Sequence, residues 1–136
     1  MRTSTVLILA GLLAVFPASI PAQASPRSMH AGAPSRPAQE MVQTLESMSL
    51  LLNSVSNRST AENAAPRLAQ LHKAYKQQQN HAENMPPMSD SMLSRHLEKM
   101  DRAMNNFRMA CARLMQEKFY GSNQLRGTVR KIAQDF

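Results

Sequence analysis

A stripe of apolar side chains at helical spacing runs through the C-terminal half of this chain and sets narrow limits on its fold. From residue 93 to residue 114 the apolar positions alternate at spacings of four and three over three heptads; they are Leu93, Leu97, Met100, Met104, Phe107, Cys111 and Leu114. An α-helix has about 3.6 residues per turn, so this spacing places all seven side chains on one face. The stripe therefore predicts a long amphipathic helix that buries this face.

Three other segments have the same helical period. Apolar residues recur at spacings of four and three from Met41 to Val55, and residues 59–62 have the S-x-x-E form of a capping box that opens a second helix. Ser122 or Asn123 is placed to cap a short last helix. No run of residues has the alternation of a strand. Because short connections favour antiparallel neighbours, we expect an all-α fold, an antiparallel helical bundle of three helices with a short C-terminal fourth.

Proline and glycine mark the expected interruptions of these helices. Pro66 predicts either a kink in the second helix or a true start of that helix near Ala65. Two consecutive prolines at residues 86–87 separate the second helix from the third, and Gly121 is expected to close the third helix in a left-handed conformation. Within the third helix, Glu98 and Arg102, four residues apart, are expected to form a supporting ion pair.

A cleavable secretory signal peptide is predicted over residues 1–24. Arg2 is the only charge in this segment, an unbroken run of eleven apolar residues follows from Val6 to Phe16, and residues 22–24 read Ala-Gln-Ala. A positive start, a short apolar run and small residues at the end are the three parts of such a signal. Eleven apolar residues are too few to span about 30 Å of hydrocarbon, so cleavage before Ser25 and export to the periplasm or the exterior are expected.

The mature chain then consists of a flexible lead and one helical domain. Residues 25–37 are rich in Pro, Ser, Gly and Ala, which favours disorder, and the helical domain is expected over residues 38–136. No later segment is apolar enough to cross a membrane. Ten methionines and no tryptophan remain after residue 24, which indicates an adaptable core of Leu, Met and Ala.

The charge of the mature chain is positive. Without Arg2 it carries 15 Lys and Arg against 9 Asp and Glu, a net charge of +6. A field of this sign attracts anionic surfaces such as lipid headgroups or acidic polysaccharide, but ordinary solubility charge is the favoured explanation. The excess is spread along the sequence, and no motif indicates a specific nucleic acid partner.

Cys111 is the only cysteine, so an internal disulfide is excluded. The thiol either lies in the core as a small apolar group or joins two chains. The stripe of the third helix also has the minimum length for a coiled-coil seam, so a homodimer through this helix is an alternative to the monomeric bundle. Phe107 and Cys111 would then lie in the interface.

The segment Ser59–Leu71 resembles a recurring piece of small exported, Met- and Ala-rich α-helical bacterial proteins. These proteins combine a signal peptide with an S-A-x-x-A-x-P-x-L-x-x-L stretch, a proline-containing loop and a Met-rich helix, and the resemblance extends over residues 40–120. It implies export and a helical fold. No site residue is carried over from this family.

A row of soft ligands around the start of the third helix suggests metal binding. Met and His side chains recur three or four residues apart, at His81, Met85, Met88, Met92, His96, Met100 and Met104. Thioether sulfur and imidazole together select Cu(I) or Ag(I) over hard cations. Met100 and Met104 belong to the apolar stripe and the two prolines separate His81 and Met85 from the helix, so the candidate metal ligands are Met88, Met92 and His96.

The remaining function classes are catalysis and binding. The carboxylates are scattered, and neither a Gly-rich phosphate loop nor a nucleophile elbow is present, so we expect no catalytic residue and no cofactor. Charged side chains off the apolar faces could form a basic surface for an anionic or unfolded partner; they are Lys73, Lys76, Arg95, Lys99, Arg102 and Arg113. Small periplasmic helical chaperones are similar in size, charge and Met content, although their L-T-x-x-Q repeat is absent here. A non-catalytic structural or interaction protein of the bacterial envelope or exterior is therefore expected.

Overall fold

The computed structural model describes residues 36–136. It contains four α-helices and one short turn: α1 (Arg36–Asn53), α2 (Arg58–Glu83), α3 (Asp90–Gln116), the turn Lys118–Gly121 and α4 (Asn123–Ala133). No strand occurs in this part of the chain, so the predicted all-α fold is confirmed. The helical domain begins at Arg36, slightly before the expected residue 38. The predicted signal peptide and residues 25–35 of the predicted lead lie outside the described residues.

The helices form a bundle in which α1 packs against both α2 and α3, while α4 packs against α2. The hydroxyl of Thr44, midway along α1, donates a 2.9 Å hydrogen bond to the side-chain oxygen of Gln78, late in α2. Because only residues 54–57 connect these two helices, α2 runs back along α1 and the two are antiparallel. Arg113, near the end of α3, contacts the carbonyl oxygen of Leu52 at the end of α1. Therefore α1 and α3 are parallel and each lies antiparallel to α2, as the predicted bundle requires. Among residues 36–136, no helix combines the length and apolarity needed to cross a bilayer.

The core consists mainly of Leu, Ala and Val side chains with a few aromatic rings, and only two methionines, Met41 and Met48, are buried in it, fewer than the composition predicts. Its largest side chains without solvent exposure are Leu45, Met48, Leu52, Leu68, Leu114 and Leu125. Each fully buried leucine or methionine stabilises the fold by about 1.5–3 kcal/mol relative to an exposed one. Phe136 follows α4, and its ring lies 5.3 Å from that of Tyr75 and 5.8 Å from that of Phe107.

The start of α2 differs from the prediction. The capping box is formed by Asn57 and Thr60: the Asn57 side chain accepts from the Thr60 main-chain N–H at 2.9 Å, and the Thr60 hydroxyl accepts from the Asn57 N–H at 3.0 Å. The expected box of residues 59–62 is therefore wrong, because an Asn cap two residues earlier already satisfies the orphan N–H groups. The helix continues through Pro66, so a start near Ala65 is also wrong.

The buried face of α3 is rotated from the predicted stripe. Phe107 and Leu114 are buried as expected, but the other buried residues are Ala103 and Ala110, and Leu93 and Leu97 are 41% and 52% exposed. The distance between two packed helices depends on the side chains at the contact. The small alanines lie closest to the rest of the bundle, and the larger side chains near the start of α3 are turned towards solvent.

A left-handed turn connects α3 to α4. Gly121 has the predicted positive φ, +77°, but it does not close α3: that helix ends at Gln116, and Lys118, Phe119 and Tyr120 already have φ between 50° and 54°. This conformation costs about 1–2 kcal/mol for each residue with a Cβ. Burial of the Phe119 ring offsets part of this cost. Ser122 follows this turn and is the N-cap of α4. Its hydroxyl oxygen accepts a 3.1 Å hydrogen bond from the Leu125 N–H, which confirms the predicted cap.

Candidate functional site

An open groove between α1 and α3 gathers most of the residues that the sequence marks as candidates. It has a volume of about 620 Å³ and is lined by Gln39, Val42, Gln43, Glu46, Met92, Arg95, His96, Lys99 and Arg102. Val42 is buried, and Met92 and His96 are half-buried, so these three side chains form its floor. The charged and amide side chains are exposed along its two rims. We refer to this feature and its continuation along the same two helices as the α1–α3 groove.

The two rims follow from the spacing of residues in each helix. On α1 the rim is formed by Gln39, Gln43 and Glu46, which are four and three residues apart. On α3 the rim residues have the same spacing; they are Arg95, Lys99 and Arg102. Residues three and four apart in a helix lie on one side of it, and because α1 and α3 are parallel the two rows run side by side. The row of cations extends over about 10 Å at 1.5 Å per residue.

The groove has an excess of positive charge. Three cationic side chains, Arg95, Lys99 and Arg102, line this section, which we call the basic end of the groove. Glu46 is the one carboxylate among its lining residues. Within residues 36–136, no ion pair of 4.0 Å or less involves Arg95, Lys99 or Arg102. The predicted pair of Glu98 with Arg102 is therefore not formed. These three cations are available to an anion that enters the groove.

The other cations of the predicted basic surface lie outside this section of the groove. Arg113 donates hydrogen bonds to the main-chain carbonyl oxygens of Leu52 at 2.8 Å and Val55 at 3.1 Å, so it serves the fold rather than a ligand. Lys76 lies 3.5 Å from a carboxylate oxygen of Asp135. Three of the six predicted cations thus line this section of the groove together, and the other three do not.

The predicted metal ligands are only partly brought together. Met92 and His96 are one turn apart on α3 and both line the groove. Met88 precedes the N-cap residue Ser89, so helical spacing does not place it beside Met92. Among residues 36–136, no group of three or more His, Cys, Asp or Glu side chains is arranged to hold a metal ion.

A second section of the same groove was not predicted from the sequence. It continues between α1 and α3 beyond Glu46 and is lined by Glu46, Ser49, Leu50, Asn53, Asn106, Met109, Ala110 and Arg113. Leu50 and Met109 are 70% and 66% exposed, the most exposed large apolar side chains of the described chain. A sequence pattern for this section exists: the rows of rim residues on both helices continue at spacings of four and three, outside the apolar stripes.

Cys111 lies against the hydrophobic core on the other side of α3 and is half-buried. Burial raises the pKa of its thiol to about 11, so the reactive thiolate is scarce at neutral pH. Phe107 is buried in the core of this chain. Both residues therefore take part in packing within the chain.

Comparison of the chain with protein families, with characterised proteins and with solved structures finds no match. A function for this chain therefore has to be inferred from its own residues, above all from those of the α1–α3 groove.

Proposed function

We propose that this chain is an exported, non-catalytic interaction protein that binds an anionic partner through the α1–α3 groove. The observation that carries the proposal is the row of Arg95, Lys99 and Arg102, three exposed cations on one rim of a groove with no carboxylate within ion-pair distance. Opposing amide side chains from α1 add hydrogen-bond donors and acceptors. Such a rim attracts carboxylate or phosphate groups and orders them in a line.

The strength of such binding follows from the exposure of these groups. An exposed ion pair contributes about 0–1 kcal/mol, so three of them produce a weak complex unless the partner makes further contacts. Salt screens charges over about 8–10 Å at physiological ionic strength, so the complex should weaken as salt is added. Both helices also begin near the basic end of the groove, where their dipoles add a positive potential.

The proposal is tested by removing the three cations from the groove. The variant combines Arg95→Gln, Lys99→Gln and Arg102→Gln, and the probe is poly-L-glutamate at low salt. We expect affinity to fall by about tenfold, since loss of some 1.4 kcal/mol of ionic attraction corresponds to that factor.

A matched control removes the same charge elsewhere. Lys73, Arg108 and Arg130 are exposed and take part in no ion pair among the described residues. Their triple replacement by Gln lowers net charge by the same amount and should leave poly-L-glutamate binding nearly unchanged. Equal losses in the two variants would mean that only net charge matters, and the groove would lose its assignment.

A second candidate function is binding of Cu(I) or Ag(I), favoured by the position of Met92 and His96 on one side of the groove. The neighbouring cations Arg95 and Lys99 oppose it, because they repel a metal cation. The test is a Cu(I) competition titration on the wild type and on a variant in which Met88, Met92 and His96 are all replaced by Leu. A large loss in the variant supports a metal site, and equal weak binding by both proteins argues against one.

Export is the part of this proposal that rests on residues 1–24 alone. If the predicted signal is used, protein recovered from the periplasm or the medium begins at or near Ser25. N-terminal sequencing of the exported fraction tests this, and a chain that still begins at Met1 would contradict it.

A further inference from the structure

The α1–α3 groove has two chemically different ends. At one end the rim of α3 carries Arg95, Lys99 and Arg102, and at the other end Leu50 and Met109 face solvent with 70% and 66% of their surface exposed. Glu46 lines both sections, so they adjoin along the same two helices. From residue 39 to residue 53 the α1 rim is about 21 Å long at 1.5 Å per residue, which is the length of a helix of about four turns.

We infer that the occupant of this groove is an amphipathic helix of a protein partner, with an acidic half and an apolar half. This inference rests on the proposed function and names the class of partner. Two parallel helices with rim residues at spacings of four and three present a channel that accepts the side-chain row of a third helix. Helix-in-groove recognition uses anchors at this same spacing.

The exposed side chains of Leu50 and Met109 are the reason to prefer a protein helix to a uniform polyanion as the partner. An acidic polysaccharide or a phosphate-rich surface pairs with the three cations but leaves Leu50 and Met109 in water. A helix with leucine or methionine side chains at the matching end removes that apolar surface from solvent, which favours binding. Only a partner with both properties uses the whole groove.

The direction of the bound helix follows from the helix dipoles. Both α1 and α3 begin at the basic end of the groove, so their positive dipole ends lie there. A partner helix whose C-terminal half is acidic places its negative dipole end at the same position. The partner is therefore antiparallel to α1 and α3.

Two synthetic helical peptides of identical composition test this inference. Each has about 14 residues, which at 1.5 Å per residue matches the groove. The ordered peptide carries Leu anchors in its first two turns and Glu anchors in its last two, and the mixed peptide alternates Leu and Glu along its length. We expect the protein to bind the ordered peptide about tenfold more tightly, because the ordered peptide alone matches both ends of the groove.

The variant Leu50→Ser with Met109→Ser should abolish the preference for the ordered peptide and leave poly-L-glutamate binding within about twofold, since the cations remain. The matched control, Leu97→Ser with Met115→Ser, removes two exposed apolar side chains outside the groove and should keep the preference. Equal binding of the two peptides, or a preference that survives the Leu50 and Met109 changes, would overturn the inference. Failure of the proposed function is a different result, in which poly-L-glutamate binding is insensitive to the three groove cations.

Discussion

The guanidinium of Arg113 donates a 2.8 Å hydrogen bond to the main-chain carbonyl oxygen of Leu52 and connects α3 to the end of α1. The last carbonyl groups of a helix have no partner within the helix, so an external donor satisfies them. A second bond of 3.1 Å reaches the Val55 carbonyl, and a third of 3.3 Å reaches the hydroxyl of Tyr120 in the left-handed turn. One side chain thus joins three parts of the fold.

Replacement of Arg113 by Met should therefore destabilise the protein. The change removes a charged donor and leaves half-buried carbonyl oxygens without it, for which we expect a loss of about 2 kcal/mol in the free energy of unfolding. Urea denaturation followed by circular dichroism measures the effect. Arg108→Met on the same helix is the control, because Arg108 is exposed and should change stability by less than about 0.5 kcal/mol. Equal stability of the two variants would contradict the assigned role.

A pH dependence of stability is expected from His72. Its ring Nε2 lies 3.1 Å from a carboxylate oxygen of Asp135, but the contact is not aligned as a hydrogen bond. Burial lowers the pKa of His72 below its usual value of 6.5; Asp135 opposes this effect, while Lys76 and Lys131 add to it. The unfolded chain then binds a proton more readily than the folded chain, so stability should rise as the pH increases through 6.5 and fall on acidification.

This dependence should disappear from the unfolding free energy of a His72→Gln variant between about pH 5 and pH 7. The comparison uses the slope of the unfolding free energy against pH, so a loss of stability in the variant that is the same at every pH does not affect it. His81→Gln is the matched control, because His81 is exposed near the end of α2. An unchanged slope in the His72 variant, or stability that decreases with rising pH in the wild type, would show that the buried imidazole does not control this response.

Cys111 should react slowly with a thiol reagent in the folded protein. Burial raises its thiol pKa from 9.0 to about 11, which reduces the thiolate at pH 8 by about a hundredfold and adds to steric protection. Denaturant should abolish this protection. A variant with Cys111→Ser and Met109→Cys places the thiol on an exposed position of the same helix and should react rapidly. Rapid labelling of native Cys111, or a disulfide-linked dimer, would support the alternative in which α3 joins two chains.

Much of the fold is predictable because the apolar residues recur at helical spacing in the sequence. The apolar rows around Leu45 and Leu114, the proline pair at residues 86–87 and the cap at Ser122 all correspond to features of the structure. The exposure of Leu97 does not follow from periodicity, because a stripe of seven residues defines a face only to within a fraction of a turn. The packing of Ala103 and Ala110 decides which side of that stripe is buried.

Two other features depend on tertiary structure. A row such as Arg95, Lys99 and Arg102 is indistinguishable in sequence from an ordinary solvated face, and only the packing of α1 beside α3 places Gln43 across from it. Likewise, nothing in the local preference of Phe119 indicates a positive φ, since residues with a Cβ avoid it. Contacts elsewhere in the fold impose that conformation.

The assignment of anion binding to the α1–α3 groove is tested by mapping where an acidic probe binds on the protein. Backbone amide chemical shifts of the ¹⁵N-labelled protein are recorded during titration with poly-L-glutamate at low salt. We expect the largest changes among residues 39–46 of α1 and residues 92–102 of α3, with small changes in α4, although α4 also carries exposed cations such as Arg130. Changes that are largest in α4, or spread evenly over all exposed Lys and Arg residues, would contradict a binding site in the α1–α3 groove.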